Sequence, residues 1–243
     1  MIRLSVNVNK IATLRNSRGG RAPGVLEAVD VCLAAGARGI TVHPRADRRH
    51  ITPEDVRGIR TALAGRDPAV EFNVEGDPRP ELIDLVLETR PDQCTLVPVA
   101  AGEVTSHAGW KGPAFDRLGP VIAALKQRGI RVSLFVEPDA EAIENAAAFG
   151  ADRVELYTEP FARAFERGGQ EGTRSFETYA DAARRAHAVG LGVNAGHDLD
   201  LDNLTLFRGL PHLDEVSIGH AIVSRAVFVG LAQVVREYLA ILV

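Results

Sequence analysis

Eight short runs rich in β-branched residues recur along the chain, and stretches with helical spacing of apolar residues lie between them. Strict alternation of strands and helices predicts a parallel sheet, because each helix carries the chain back to the same edge. Eight such units in 243 residues fit a closed (β/α)8 TIM barrel, which typically takes about 250 residues. The predicted strands are Leu4–Asn9, Gly39–His43, Val70–Glu75, Gln93–Val97, Arg131–Glu137, Arg153–Thr158, Gly192–His197 and Glu215–His220.

Glycine and proline mark the expected helix boundaries. Glycine just before a strand supplies the left-handed residue that ends the preceding helix. The glycines in this position are Gly36, Gly129, Gly150 and Gly190. Thr52 followed by Pro53 is typical of a capped helix start. The clearest predicted helices are Val25–Ala35, Val121–Arg128, Ser175–Val189 and Ala221–Leu239.

A doubly wound open sheet is the alternative architecture. It usually carries a glycine-rich turn after its first strand, whereas the first predicted strand here is followed by Lys10–Thr13, which holds no glycine. We therefore expect one barrel domain over residues 1–243 with extra loop or helical elements. Two connections exceed what a barrel needs, Asn9–Pro23 and Pro98–Pro113, and the second is long enough to form a lid.

Composition excludes several classes of protein. The net charge of −4 argues against a dedicated nucleic-acid-binding protein, whose surface would be strongly basic. Cys32 and Cys94 each lie in an apolar run without C-x-x-C spacing, which predicts buried, reduced thiols. The amino-terminal apolar run is too short for a signal peptide, and no segment is long enough to span a bilayer. We expect a cytoplasmic protein with no membrane partner.

Polar side chains gather near the predicted carboxyl ends of the strands, where barrels carry out their chemistry. They are Asn7, Asn9, His43, Arg45, Glu71, Asn73, Glu75, Glu137, Glu155, His197 and His220. A single histidine after a strand is commonly a capping residue, but three at equivalent positions favour catalysis. A closed barrel has no solvated edge, so Glu71 and Glu155 indicate either function or a buried ion pair.

Two features predict binding of phosphate. The strand ends Asn194–His197 and Ser217–His220 both finish in Gly-His, and the loops after strands seven and eight commonly bind phosphate in barrels. Arginines also crowd the loops after strands one and two, at Arg15, Arg18, Arg21, Arg45, Arg48 and Arg49. Guanidinium groups pair with phosphate in a bidentate manner, so these loops predict anionic substrates, with a solvated basic surface as the alternative.

The positions of the lysines and histidines bear on two possible mechanisms, catalysis through an enzyme-bound imine and catalysis by a metal ion. The only lysines are Lys10, Lys111 and Lys126, and none projects from a predicted strand into the barrel. An enzyme-bound imine is therefore disfavoured, with Lys10 the one weak candidate. No H-x-H or H-E-x-x-H spacing supports a metal site, although the histidines leave metal catalysis open as an alternative.

Ordered motifs in this chain resemble the pyridoxine 5′-phosphate synthase family. The similar segments are Asn7–Asn9, Ile11–Asn16, Gly39–Arg45, Asp47–Thr52, Val193–His197 and Ser217–Ala221. The resemblance implies condensation of 3-amino-2-oxopropyl phosphate with 1-deoxy-D-xylulose 5-phosphate to give pyridoxine 5′-phosphate, phosphate and water. It further implies that the enzyme uses no metal or organic cofactor, that its partners are these two small substrates, and that it forms a homo-octamer.

The resemblance also implies roles for individual residues. His43 and Glu71 would accept protons, His197 would donate one, and Glu155 would stabilise a charged transition state. The residues expected at the amino-ketone phosphate are Asn7, Arg18, Gly219 and His220, and those at the pentulose phosphate are Arg45, His50 and Thr105. The sequence alone ranks Glu75 with Glu71 because both share one strand face, and the resemblance favours Glu71.

Three positions depart from the commoner residues of that family. Asn9 and Lys10 stand where many members have Asp-His, which help to bind the pentulose phosphate, and Asp198 stands where many have glycine. We expect all three to belong to the substrate-binding set. Two other functions remain as alternatives, a phospholigand-binding barrel without catalysis and a different phosphosugar isomerase or lyase.

Overall fold

The computed structural model describes residues 1–66, 70–99 and 108–243. Eight strands close into a barrel in chain order, each parallel to its neighbours, and pairing of the first with the last completes the ring. The strands are β1 (Arg3–Asn7), β2 (Gly39–Val42), β3 (Glu71–Gly76), β4 (Gln93–Leu96), β5 (Arg131–Val136), β6 (Arg153–Leu156), β7 (Gly192–Ala195) and β8 (Leu213–Ile218).

The structure confirms the predicted (β/α)8 fold and all eight predicted strands. Most strands end one or two residues earlier than the sequence pattern indicated. His43, His197 and His220 consequently follow β2, β7 and β8 rather than belonging to them. This placement puts the three side chains in the loops and the helix start at the carboxyl end of the barrel.

Helices surround the barrel. They are α1 (Asn9–Asn16), α2 (Val25–Ala34), α3 (Pro53–Leu63), α4 (Pro80–Thr89), α5 (Gly119–Lys126), α6 (Ala140–Ala148), α7 (Glu159–Glu166), α8 (Gly169–Ala188), α9 (Leu204–Phe207), α10 (His220–Val229) and α11 (Leu231–Ile241), with a 3-10 helix at Gly112–Arg117. Within the described part of the chain, none of them is both long and apolar enough to cross a bilayer.

The predicted helix boundaries follow from local chemistry. All four glycines before strands adopt left-handed φ values, as expected: Gly36 at 109°, Gly129 at 74°, Gly150 at 85° and Gly190 at 84°. At the start of α3, the Thr52 hydroxyl accepts from the Asp55 backbone N–H, and the Asp55 carboxylate accepts from the Thr52 backbone N–H. This reciprocal capping box satisfies two N–H groups that a helix start leaves without intrahelical partners.

Three helix expectations need correction. The connection Asn9–Pro23 is not simply a loop, because α1 begins directly after β1. The helix expected over Ala221–Leu239 is two helices, since Gly230 with a φ of 87° interrupts it. The helix expected from Ser175 begins earlier, at the start of α8. Much of the predicted lid lies at residues 100–107, outside the described residues.

Side chains alternate between two environments along the strands. Apolar residues such as Leu4, Ile40 and Phe72 are buried in the main hydrophobic core. The alternate positions of the same strands carry polar side chains that contact one another across strands. Ser5 Oγ lies 2.7 Å from Thr41 Oγ1, for example. Branched apolar residues ordinarily fill the interior of such a barrel. In this barrel, buried polar side chains such as Ser5 and Thr41 occupy part of the interior instead.

Candidate active site

An open cavity of about 620 Å³ lies at the carboxyl end of the barrel. The loops after most of the strands contribute to its lining, as expected for the face where barrel enzymes work. The predicted site residues that line it are Asn7, Asn9, Lys10, His43, Arg45, His50, Glu155, His197, Asp198, Gly219 and His220. Residues far apart in the sequence therefore meet around one space.

Glu71 does not belong to this group. It is the first residue of β3, pairs in register with Gly39 at the start of β2, and so lies at the amino end of the barrel. Its carboxylate is buried between Arg131, at 2.5 Å, and Arg3, at 3.1 Å. The prediction that Glu71 shares a site with His43 and His197 is wrong, because the strand places Glu71 at the opposite end of the barrel.

Glu75 occupies the place expected of Glu71. It lies four residues further along the same strand face and lines the cavity. Asn7 Nδ2 donates to Glu75 Oε2 at 3.4 Å, and His43 Nδ1 lies 4.0 Å from the same oxygen. Period-two alternation places both glutamates inside the barrel but does not say which end each reaches. The position of Glu75 at the carboxyl end of the predicted strand was the signal that separates them.

One other predicted contact is not brought to the cavity. Arg18 is exposed in the turn after α1 and does not line it. Thr105 lies outside the described residues. Of the clustered arginines, Arg45 and Arg49 do line the cavity. Arg15 instead forms a two-point ion pair with Asp55, with distances of 2.6 and 2.9 Å, so it anchors α1 to α3.

Two buried histidines stand close to cationic groups. Burial and, to a smaller extent, charge at His50 and Arg45 lower the pKa of His43 to about 3. Burial likewise lowers the pKa of His50 to about 4, with Arg45 and Lys10 contributing. His43 therefore keeps a neutral ring at physiological pH. Its Nε2 is buried with no hydrogen-bond partner among the described residues.

Buried carboxyls provide the complementary groups. Burial raises the pKa of Glu75 well above its usual value, and negative charge at Glu155 and Glu215 raises it further. Burial also raises the pKa of Glu155, His197 partly offsets this effect, and the resulting pKa is about 7. A carboxyl that exchanges its proton near neutral pH is suited to general acid–base catalysis.

Close packing of the backbone requires glycine at the ends of β7 and β8, whether or not a ligand binds there. A Cβ on Gly196 would lie 2.0 Å from the Ser217 carbonyl oxygen, and one on Gly219 would lie 2.7 Å from the Asn7 carbonyl oxygen. Helix α10 begins directly after Gly219 without a side-chain cap. Its first N–H groups therefore remain available to an anion at the edge of the cavity.

Sequence reasoning missed several lining residues, among them Phe135, Arg163 and Glu166. Phe135 follows Arg131 and Ser133 on the inward face of β5, so strand alternation could have found it. Arg163 and Glu166 lie on α7, which the helical spacing of Phe161 and Phe165 and the Pro160 near its start could have predicted.

No group of three or more His, Cys, Asp and Glu side chains in the described ranges is arranged to hold a metal ion. The closed barrel and the acid–base groups at its carboxyl end define a (β/α)8-barrel enzyme. The chain belongs to the family described as pyridoxal phosphate biosynthesis protein PdxJ, whose sequence profile matches residues 4–243.

Similar proteins support this assignment along the whole chain. A pyridoxine 5′-phosphate synthase of Xanthomonas campestris is 53% identical over 98% of this chain and 95% of its own. One from Bacteroides fragilis is 51% identical over 98% of both chains. One from Leptospira biflexa is 48% identical over 100% of this chain and 97% of its own.

Solved structures resemble the chain in fold alone. Phosphoribosyl anthranilate isomerase from Thermotoga maritima aligns with a TM-score of 0.64 at 16% identity, covering 100% of this chain and 98% of its own. A thiamine phosphate pyrophosphorylase from Pyrococcus furiosus aligns with a TM-score of 0.64 at 15% identity, covering 99% and 95%. At such identities the shared barrel carries no argument about the reaction.

Proposed function

We propose that this chain is a pyridoxine 5′-phosphate synthase of vitamin B6 biosynthesis. It would condense 3-amino-2-oxopropyl phosphate with 1-deoxy-D-xylulose 5-phosphate and release phosphate and water. The observation that carries the proposal is one cavity that gathers four histidines and two buried carboxyls, and four of these six residues are assigned catalytic roles. These four residues are His43, His197, Glu75 and Glu155.

The condensation needs proton transfers more than it needs a cofactor. The amine of one substrate attacks the ketone of the other, and ring closure then requires protons to leave carbon and reach departing oxygen atoms. The imine nitrogen comes from the substrate, so the enzyme need not supply a lysine. Lys10 is the only lysine among the described lining residues, and it is exposed at the rim. Positioning and acid–base catalysis are then the protein's contribution, without metal or organic cofactor.

His43 and Glu75 are the proposed proton acceptors. The ring of His43 is unprotonated at the working pH, and the negative charge of a bound phosphate would raise its pKa and so make it a stronger base. Burial raises the pKa of Glu75 well above its usual value, which favours its protonated form before substrate binds. A cationic amine or iminium intermediate nearby would stabilise the carboxylate and release that proton. Glu75 thus takes the role that the family resemblance first suggested for Glu71.

His197 is the proposed proton donor, and Glu155 stabilises positive charge in the transition state. Glu155 is buried on β6, and the charges of Glu155 and His197 interact directly. A carboxyl with a pKa of about 7 can ionise when a cation forms in front of it. On the side of the cavity opposite β2, His197 therefore supplies an acid and Glu155 supplies a carboxylate that stabilises positive charge.

Two phosphate positions are proposed at separate edges of the cavity. The uncapped start of α10 with Asn7, Gly219 and His220 would hold the amino-ketone phosphate. The edge formed by the segments after β1 and β2 would hold the pentulose phosphate, through Asn9, Lys10, Arg45 and His50. The Asn9 side chain also accepts from the His43 backbone N–H at 2.9 Å, so it shapes this edge as well.

Assembly and compartment complete the proposal. Val227, Phe228 and Val229 are 71%, 86% and 44% exposed at the end of α10, an apolar surface that a second copy would cover. We propose an oligomer on this basis, with the octamer implied by the family resemblance. Doubly charged phosphate esters do not cross membranes unaided, which supports a cytoplasmic reaction.

The purified protein should be incubated with each substrate alone and with both together, and the products identified by mass spectrometry. Pyridoxine 5′-phosphate that forms only in the complete mixture supports the proposal. Binding of both ligands without conversion would instead indicate a non-catalytic phospholigand-binding barrel. Conversion of one substrate alone would indicate an isomerase or lyase on the same fold.

A further inference from the structure

The chain turns sharply directly after β7. The Leu199 backbone N–H donates to the Gly196 carbonyl oxygen at 3.0 Å, which closes a four-residue turn. Asp198 occupies the third position with a φ of 62°, in the left-handed region where a Cβ is crowded. Glycine or asparagine is the usual residue at such a position. A carboxylate there therefore calls for a reason beyond the turn itself.

The Asp198 side chain faces the ring of His197. Its Oδ2 lies 3.3 Å from His197 Nδ1, and both side chains line the cavity. The contact with His197 lowers the pKa of Asp198, and charge at Arg163 and His220 lowers it further. Asp198 is thus an anion throughout the neutral range, placed against one ring nitrogen of the proposed proton donor.

The surrounding structure holds both residues in this arrangement. The His197 ring packs edge-on against Tyr157, with centroids 5.3 Å apart. The Thr158 hydroxyl donates to the His197 carbonyl oxygen. Asn203 Nδ2 donates to the Asp198 carbonyl oxygen at 3.0 Å. The backbone of the turn and the plane of the ring are therefore fixed before any substrate binds.

We propose that Asp198 is a positioning residue that accepts the Nδ1 proton of His197. The contact leaves Nε2 as the nitrogen that faces the substrate, and it favours the protonated ring that a proton donor requires. The 3.3 Å separation shortens when the imidazolium forms, because a charge-assisted bond is typically about 2.7–2.9 Å long. The inference rests on the proposed function, in which His197 donates the proton.

The other charges around His197 act in both directions. Glu155 on β6 adds negative charge, whereas Arg163 on α7 and His220 at the start of α10 add positive charge near Asp198. Loss of the Asp198 carboxylate would remove a negative charge beside His197, whereas Arg163 and Glu155 would stay in place. The protonated ring should then be harder to form.

Two substitutions test the proposal without strain on the turn. Glycine and asparagine both accept the left-handed φ, so Asp198→Gly and Asp198→Asn should fold with melting temperatures close to the parent. Asp202→Asn is the matched control, because it removes one exposed carboxylate from the same loop. His197 should be followed by NMR in the unliganded protein with labelled histidine, its signal assigned by its loss in His197→Gln.

We expect the titration midpoint of His197 to fall by about one pH unit in both Asp198 variants and to stay unchanged in Asp202→Asn. At high pH the ring nitrogen shifts should move from the Nδ1–H tautomer toward the Nε2–H tautomer. Unchanged midpoint and tautomer in both variants would overturn the proposal. This readout needs no turnover, so it stands apart from any failure of the proposed reaction.

Kinetics supply a second, separable readout. The basic limb of the kcat profile should move to lower pH in Asp198→Gly and Asp198→Asn, with each KM changed less than about threefold. A rise in one KM with an unshifted profile would make Asp198 a substrate contact instead. Equal losses at every pH with a lowered melting temperature would make its role structural.

Discussion

Two variants of β3, Glu75→Gln and Glu71→Gln, should distinguish a loss of catalysis from a loss of stability. Glu75→Gln removes a proton acceptor from the cavity, and loss of a general base typically costs ~10²–10⁴ in turnover. Glu71→Gln leaves the cavity untouched but breaks two ion pairs at the amino end of the barrel. We therefore expect Glu75→Gln to lose activity and Glu71→Gln to lose stability.

The size of the stability change follows from exposure. The Glu71 side chain is 7% exposed, whereas Arg3 and Arg131 are 34% and 30% exposed. Breaking a fully buried pair costs about 3–5 kcal/mol, and solvent at the two arginines reduces this to about 1–3 kcal/mol. The melting temperature of Glu71→Gln should fall by roughly 2–12 °C, at 2–4 °C per kcal/mol for a chain of this size.

Glu75→Gln should not lose stability at neutral pH. Burial raises the pKa of Glu75 in the folded protein above its unfolded value. A carboxyl of this kind stabilises the fold below its unfolded pKa, and that contribution is lost as the pH rises through the folded pKa. At neutral pH the neutral amide removes a penalty rather than a stabilising interaction.

Urea unfolding and kcat at saturation with both substrates measure the two effects. Glu144→Gln serves as a control, because it removes an exposed carboxylate that pairs with Arg185 on the outside of the barrel. The reasoning fails if Glu71→Gln, fully folded, loses as much turnover as Glu75→Gln. It also fails if Glu75→Gln retains the parent kcat.

Three further predictions concern the ligands. Arg45→Ala should raise the KM for the pentulose phosphate ~10- to 100-fold, since a charge-assisted contact is worth about 1.5–3 kcal/mol, and an equal rise for the amino-ketone phosphate would refute the two separate positions. Lys10→Met should weaken binding of the pentulose phosphate alone, as measured by isothermal titration, and unchanged affinity would make the lysine a solvated surface residue. In Lys10→His, the affinity for this substrate should fall between about pH 6 and 8 as the histidine ring loses its proton. Prolonged chelation should leave turnover unchanged, and activity lost to the chelator but restored by a divalent ion would contradict a metal-free mechanism.

The fold could be predicted because its signals are local and repeated. Each strand carries a short β-branched run, and glycines such as Gly129 and Gly150 end the helices with a conformation that other residues adopt only with strain. The break at Gly230 was missed because the apolar pattern of α10 continues into α11. A single glycine within such a pattern is compatible with a continuous helix.

The site was predicted less completely because it depends on which end of the barrel a side chain reaches. His43, His197 and His220 follow their strands, so their sequence position fixes that end. Glu71 and Glu75 lie on one strand face, and the end of the barrel that each reaches depends on its place along the strand and on the strand register. Arg15 and Arg45 both follow strands, but whether an arginine meets Asp55 or the open cavity depends on contacts between distant segments.

The central claim is that the groups at the carboxyl end of this barrel join two phosphorylated substrates by acid–base catalysis. The most direct test mixes chelator-treated protein with both substrates and quantifies pyridoxine 5′-phosphate and inorganic phosphate over time. We expect the two products to appear together in equal amounts with the parent protein, and both rates to fall ~10²-fold or more with Glu75→Gln. Phosphate released without pyridoxine 5′-phosphate, or neither product from the folded parent protein, would contradict the claim.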